Sequence, residues 1–239
     1  MARLPRINIA HIPQHITQVG HNNLKCFFDD EDYEFYLESL KASSEQYEVD
    51  IHAYTLLPNA THIIATPHLN DSLPSMMQSL GRRYVQYINH RHQRSGTLWS
   101  GRYKSSVIDS EAYLLSCYRY IELKPMHNGY VDSPEQYKWS SFNHHTGRLK
   151  NDLITEHHLY NKLGKNWHER ANQYNQQFLY EFDPHLLKYI AETIKLGQVL
   201  GGDKFKDKIE KIAEHRVRPL RRGRPKKVIN EQDLEKSLN

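Results

Sequence analysis

The sequence predicts an α+β fold in which a central antiparallel sheet has helices packed against it. Over about the first 145 residues, β-rich runs and amphipathic helical segments follow one another in the order β-α-β-β-α-β-α. No stretch approaches the roughly 18 apolar residues of a membrane span. Only Cys26 and Cys117 are present, so neither a disulfide framework nor a Cys-x-x-Cys metal motif is predicted. A chain of 239 residues can hold one sizeable core and a smaller appendage.

The first half of the chain supplies three strands and one helix. RINIAHIPQHITQVG (6–20) alternates well enough for a strand, although Pro13 indicates an edge or a bulge. Residues 29–48 form a helix with acids in the first turn and an apolar stripe. VDIHAYTLL (49–57) and ATHIIAT (60–66) are β-rich and are separated by a Pro-Asn turn, which predicts a hairpin.

The second half continues with a longer helix that begins near Asp71. TLWSGRYKSSVI (97–108) predicts another strand, and Asp109-Ser110 caps a helix over EAYLLSCYRYIELK that stops at Pro125. We expect a first domain over residues 1–148, a small helical C-terminal module over residues 151–212, and a basic tail over residues 213–239. The N-terminal MARLPRINIAHI has no long apolar core like that of a signal peptide, so we expect a cytoplasmic protein with no membrane partner.

Positive charge is concentrated near the C-terminus. The formal net charge is +4, but HRVRPLRRGRPKK (215–227) holds seven of the 32 basic residues and no acid, and the remaining 25 face 28 acidic residues. Such a segment suits a polyanionic partner. Its Gly-Arg-Pro core, flanked by Arg222, Arg224 and Lys226, resembles an AT-hook, which lays an extended chain into an A·T minor groove. Nonspecific affinity alone is the alternative interpretation.

Cations next to aromatic residues predict a nucleic-acid surface. In GTLWSGRYKSS, Arg102 and Lys104 share a strand face with Trp99 and Tyr103 nearby, and this combination suits a phosphate backbone with unstacked bases. A solvated strand edge with charged side chains is the alternative. Another pair of cations, Arg82-Arg83, lies in the middle of the second helix.

Two further patterns bear on chemistry. In LPNATHIIATP, Ala60 and His62 lie on one strand face, where a His-x-His pair would hold a divalent ion, and a lone histidine is more often an ordinary strand residue. In the third helix, Lys124 follows Tyr120 by one turn, so its ammonium can approach the phenol. A free phenol is a poor nucleophile until its anion is stabilised. Packing is the commoner role of such a tyrosine.

Taken in order, these segments resemble the single-tyrosine HUH transposases, especially the REP-associated tyrosine transposases and their insertion-sequence relatives. HITQVGHNN resembles the opening strand, HAYTLLPNATHIIATP the metal strand, and GRRYVQYIN with GTLWSGRYKSS the following helix and strand. YLLSCYRYIELKP resembles the tyrosine helix, and KWSSF the closing Trp-Ser-Ser. The resemblance covers about residues 1–145 and implies the HUH, ferredoxin-like fold.

The resemblance also implies a mechanism. Such proteins bind hairpin-forming single strands, usually as homodimers, and hold Mg²⁺ or Mn²⁺ with two histidines and a third polar ligand. A tyrosine attacks the phosphate and forms a 5′-phosphotyrosine, and the strands can later be rejoined. The motif match makes Tyr120 the nucleophile and His62 a ligand, while the other ligand positions fall on Ala60 and Lys124.

Two interpretations follow from those departures. One is a transposase with impaired cleavage, in which Lys124 neutralises the phosphate in place of the metal. The other is a catalytically inactive, domesticated DNA-binding or regulatory protein. RNA binding on the same surface is a third possibility, because aromatic stacking does not distinguish the sugars. We expect DNA contacts from Arg82, Arg83, Arg102, Lys104 and the three tail cations Arg222, Arg224 and Lys226.

Overall fold

A single antiparallel sheet forms the centre of the molecule. The computed structural model describes residues 6–214 and 216–218. The strands are β1 (Gln14–Val19), β2 (Val49–Leu57), β3 (Ala60–Pro67) and β4 (Lys104–Val107), and their order in the sheet is β2-β3-β1-β4. The predicted α+β class and the predicted β2–β3 hairpin are therefore confirmed, with Leu57 paired to Ala60 across the tight turn.

One face of the sheet is covered by α1 (Asp30–Gln46) and α2 (Ser72–Arg91). The Asp29 side chain caps α1 by accepting a hydrogen bond from the Asp32 N–H, and the acids of the first turn complement the helix dipole. The apolar stripes of both helices bury against the sheet. The core between them includes Tyr36, Leu40, Ile63, Leu80 and Tyr84.

The other face carries α3 (Ser110–Glu122), which buries the predicted stripe of Leu114, Tyr118 and Ile121. The prediction that this helix continues to Lys124 was wrong. It ends at Glu122, and a short helix, α4 (Lys124–His127), follows with Pro125 in its first turn. Proline is tolerated there because a first-turn N–H has no intrahelical acceptor.

Two predicted strands are shorter than expected. The first begins at Gln14 instead of residue 6, directly after Pro13, which has no N–H for the ladder. The last begins at Lys104 instead of residue 97, because Gly101 turns the chain with a φ of +112°. Trp99 forms only an isolated bridge to Gly20. The segment before Lys104 is therefore a loop, and the alternation of side chains between two faces does not apply to its residues.

The helices after residue 141 are α5 (Phe142–His145), α6 (His158–Asn161), α7 (Trp167–Gln176), α8 (Pro184–Leu196) and α9 (Asp203–Ala213). Short 3₁₀ turns lie at His21–Asn23, Pro134–Gln136 and Gln177–Leu179. Tyr160, Tyr174 and Ile190 share one hydrophobic core with α3. The main chain of Leu200 bonds to both Val107 and Asp109 at the free side of β4.

The helical segment thus packs directly on the sheet, and the domain boundaries near residues 148 and 151 stay a prediction. The tail cations Arg222, Arg224 and Lys226 lie outside the described residues. Within the described part of the chain, no helix has the length and apolar character needed to cross a membrane.

Candidate active site

An open cleft of about 500 Å³ lies between the sheet face under α3 and the end of α8. Three lysines, a tyrosine and a histidine line it: His62, Lys104, Tyr120, Lys124 and Lys195. We call it the lysine cleft. These residues come from two strands and from three helical segments, and the tertiary structure brings them together. The predicted nucleophile Tyr120 and the predicted ligand His62 therefore share one site.

Strand register places the sheet residues of the lysine cleft in one row. Thr17 of β1 pairs with His62 on one side and with Lys104 on the other, so the three side chains project from the same face. Ala60 lies on the same face of β3, two residues before His62. It is buried in a small apolar cluster with Leu57 and Tyr137. Its methyl group cannot coordinate an ion.

His15 is a site residue that the sequence interpretation missed. Its Nε2 lies 3.0 Å from Nδ1 of His62, and the two buried imidazoles share a hydrogen bond. Its ring also meets the ring of Tyr120 edge-on, with centroids 6.1 Å apart. Alternation along β1 predicts that His15 and Thr17 share a face. Which strand neighbours β1, and in what register, cannot be read from that pattern.

The imidazole pair is neutral in the folded protein. Burial lowers the pKa of His15 to about 3, and the positive charge of Lys124 adds to the effect. For His62, burial, then Lys124 and His15, keep the pKa well below its usual value. One nitrogen of the pair therefore donates the shared proton and the other accepts it. The pair cannot act as a cation toward a phosphate at neutral pH.

Tyr120 is a protonated phenol in these surroundings. Burial raises its pKa to about 12. The Lys124 ammonium lies over the ring, 4.5 Å from its centroid, as in a cation–π contact. Because the ammonium lies over the ring face and not beside the hydroxyl, burial has the larger effect on the pKa of the Tyr120 hydroxyl. The same burial lowers the pKa of Lys124.

Helix α8 completes the wall of the lysine cleft. The Lys104 ammonium donates a 2.8 Å hydrogen bond to the backbone carbonyl of Lys195, in the last turn of α8. A cation there complements the helix dipole and satisfies a terminal carbonyl. Gly197 ends the helix with a φ of +65°, a left-handed conformation that favours glycine. Lys195 therefore lies beside a strand about 90 residues earlier in the chain.

The prediction that Arg102 and Lys104 share a strand face was wrong, because Arg102 precedes β4. Arg102 instead lines a second cleft of about 600 Å³ with Arg6 and Arg82, which we call the arginine cleft. Gln18 lines the arginine cleft, whereas its neighbours Thr17 and Val19 line the lysine cleft. Since successive strand residues point to opposite faces, the two clefts open on opposite sides of β1.

The predicted stacking surface is also absent from the described residues. Trp99 and Tyr103 are 6% and 7% exposed, so neither ring face is available to a nucleobase. Tyr103 instead lies under the guanidinium of Arg6, 3.9 Å from the ring centroid. Arg83 is exposed on α2, as a phosphate contact requires, but does not line either cleft.

The residues at the predicted metal site do not fit Mg²⁺ or Mn²⁺. Hard divalent ions take several oxygen ligands, whereas this site offers two imidazoles that hydrogen bond to each other, a methyl group and an ammonium. In the described part of the chain, the group of ligand-type residues closest to a metal-binding arrangement is Asp29, Asp32 and His92. In that group the Arg91 guanidinium lies 2.6 Å from the Asp29 carboxylate and 2.8 Å from the Asp32 carboxylate. The arginine therefore supplies the positive charge that a metal ion would otherwise bring.

Comparisons with known proteins agree with the predicted family. Residues 9–124 match the family model of IS200-like transposases. The structure of a REP-associated tyrosine transposase bound to a REP hairpin is similar over 66% of this chain and 92% of that one, with 17% identity and a TM-score of 0.54, which indicates a shared fold. A candidate transposase from Deinococcus radiodurans covers 49% of this chain and 95% of its own, with 17% identity and a TM-score of 0.35. No curated protein matches the chain.

Proposed function

We propose that the protein binds hairpin or single-stranded DNA and cleaves it very weakly, on the premise that residues 9–124 match the family model of IS200-like transposases. The observation that carries the proposal is the lysine cleft. It brings three lysines into one cleft with the tyrosine of the family match, while two of the family's three ligand positions hold the non-ligands Ala60 and Lys124. The fold is shared with a transposase whose structure contains a REP hairpin, which supports DNA as the partner.

The lysine cleft is suited to a phosphate backbone because its cations are not neutralised. Lys104, Lys124 and Lys195 form no ion pair with a carboxylate of the described residues, and Lys104 and Lys195 are exposed. A polyanion that enters the cleft releases counterions from its own atmosphere, which favours binding at low salt. The arginine cleft, with Arg82 and Arg102, offers a second phosphate surface on the opposite face of the sheet.

Cleavage is expected to be weak for two physical reasons. With a pKa of about 12, roughly one Tyr120 phenol in 10⁴ is ionised at pH 8. The donor set does not fit a divalent ion, so the developing charge on a scissile phosphate lacks that stabilisation. Lys124 is the group closest to supplying it, because its ammonium already lies against the Tyr120 ring. The 5′-phosphotyrosine step stays a prediction from the family.

Salt dependence tests the binding proposal. Phosphate contacts from the two exposed lysines, Lys104 and Lys195, on a single strand give a slope of log K against log[salt] of about −1.4, at roughly 0.7 per contact. Lys195→Ala removes one ammonium while its carbonyl still accepts from Lys104, so the slope should become shallower by about 0.7. Fluorescence anisotropy with a labelled hairpin measures this, and Lys165→Ala, an exposed lysine outside both clefts, is the control. Salt-independent binding, or binding that disappears with EDTA, would contradict the proposal.

A covalent-adduct assay tests the proposed loss of cleavage. With labelled hairpin DNA and Mn²⁺, we expect almost no protein–DNA adduct from the natural chain and a measurable adduct from the Ala60→His, Lys124→Asn variant. Adding Tyr120→Phe to that variant should abolish the adduct. A strong adduct from the natural chain, lost on Tyr120→Phe, would instead establish an active transposase. Competition between matched DNA and RNA hairpins distinguishes the two nucleic acids.

The homodimer implied by the family resemblance and the cytoplasmic location expected from the sequence also stay proposals. Light scattering with and without hairpin DNA measures the mass of the protein and so its oligomeric state. A mass of one chain in both states would contradict the dimer.

A further inference from the structure

We propose that Lys124 is an amine nucleophile that acts on abasic sites in the bound strand, which would make the protein a DNA lyase that needs no metal. The inference rests on the proposed function, because the strand must first occupy the lysine cleft. The substrate class is single-stranded or hairpin DNA that has lost one base. Such a site exists in equilibrium with an open-chain sugar whose C1′ is an aldehyde.

The three lysines of the cleft differ in their surroundings. Lys104 and Lys195 are exposed, and the Lys104 ammonium is engaged with a backbone carbonyl. Lys124 is half-buried against an aromatic ring and has no carboxylate partner among the described residues. Desolvation without a counter-charge favours the free amine, and the pKa of Lys124 is lowered accordingly. The exposed pair can hold flanking phosphates while the half-buried amine meets the sugar.

The position of Lys124 in the chain supports this assignment. It lies at the junction of α3 and α4, four residues after Tyr120, in the place that the family resemblance gives to a neutral metal ligand. A strand bound in the lysine cleft therefore brings its sugar-phosphate backbone to this amine. A neutral Tyr120 hydroxyl and a neutral His62 line the same cleft and leave the amine as its strongest nucleophile.

The reaction is balanced without any oxidant or reductant. The Nζ lone pair forms a bond to C1′ of the aldehyde, and the carbonyl oxygen leaves as water, with one proton from the amine and one from the solvent, to give a protonated imine. That imine acidifies the C2′ proton, which passes to water in the open cleft. The electron pair forms the C2′–C3′ double bond, and the C3′–O bond breaks to release a strand with a 5′-phosphate. Water then hydrolyses the imine, restores the Lys124 amine and leaves an unsaturated aldehyde on the other strand.

Borohydride trapping tests the inference. A labelled hairpin with one uracil is converted to an abasic hairpin by a uracil glycosylase and incubated with the full chain in EDTA. Cyanoborohydride should reduce the imine to a stable amine, visible as a slow band on a denaturing gel, and peptide mapping should place the sugar on Lys124. Without reductant, the strand should be cut at the abasic site. Anisotropy on the same samples reports the fraction of DNA bound.

The variants separate binding from chemistry. Lys124→Arg keeps a cation but cannot form an imine, so the trapped fraction per bound DNA should fall at least tenfold. Lys165→Arg, an exposed lysine outside both clefts, should match the natural chain. Tight binding with no trapped complex, or an adduct that maps to another lysine, would overturn the lyase and leave the binding proposal intact. Failure to bind even an intact hairpin would overturn the binding proposal and this inference with it.

Discussion

Acidification should destabilise the protein through the buried His15–His62 pair, and replacing His15 should remove much of that effect. The unfolded chain binds a proton at each of these histidines near pH 6.5, whereas the folded pKa of His15 is about 3. Between those two values the unfolded state holds more protons than the folded state. Stability is therefore fully present above pH 6.5 and is lost as the pH falls toward 3.

The expected magnitude follows from the same pKa values. Each pH unit below 6.5 lowers the free energy of unfolding by about 1.4 kcal/mol for one such group. From pH 7.5 to pH 5, His15 alone accounts for about 2 kcal/mol. Other histidines with lowered pKa values, among them the buried His144 and the half-buried His157, add to the total loss. A direct comparison of two variants is needed to isolate the site.

Urea denaturation of the natural chain and of His15→Gln, each at pH 7.5 and pH 5, makes that comparison. A glutamine side chain can still hydrogen bond to His62 but does not titrate, so the change in unfolding free energy between the two pH values should be about 2 kcal/mol smaller in the variant. The absolute stability of the variant cancels in this difference. Equal changes in both proteins would show that His15 is protonated in the fold at pH 5 and would refute the neutral pair.

Three further predictions concern stability. Tyr174→Phe removes a 2.7 Å hydrogen bond to the buried Glu122 carboxylate and should lower the free energy of unfolding by about 2 kcal/mol in a urea titration. Tyr180→Phe, at a side chain that is 74% exposed, is the near-neutral control. Equal urea midpoints for Tyr174→Phe and the natural chain would contradict this prediction. Gly81→Ala adds a methyl group in open space on α2 and should raise the melting temperature by stabilising the helix about 0.5–1 kcal/mol. Gly197→Ala, at a φ of +65°, should lower the melting temperature, and a rise there would refute the argument from backbone strain.

Two of the errors in the sequence interpretation arise at strand ends. Prediction extended the first and last strands through Pro13 and Gly101, because alternating side chains continue past the point where the main chain stops pairing. The placement of Arg102 beside Lys104 failed for that reason. The burial of Trp99 and Tyr103 followed from loop packing against α2 and Arg6, which residue type alone does not reveal.

Local sequence by itself predicted the element order and the resemblance to the family, and it identified an alanine at position 60, since these depend on residue identity and short-range periodicity. Only the tertiary structure decided that His15 pairs with His62, and that Lys195 joins Lys104 in one cleft. A period of two places a side chain on a face but does not specify which strand lies next to it or in what register. Those relations arise when distant segments pack, and they define the chemistry of this site.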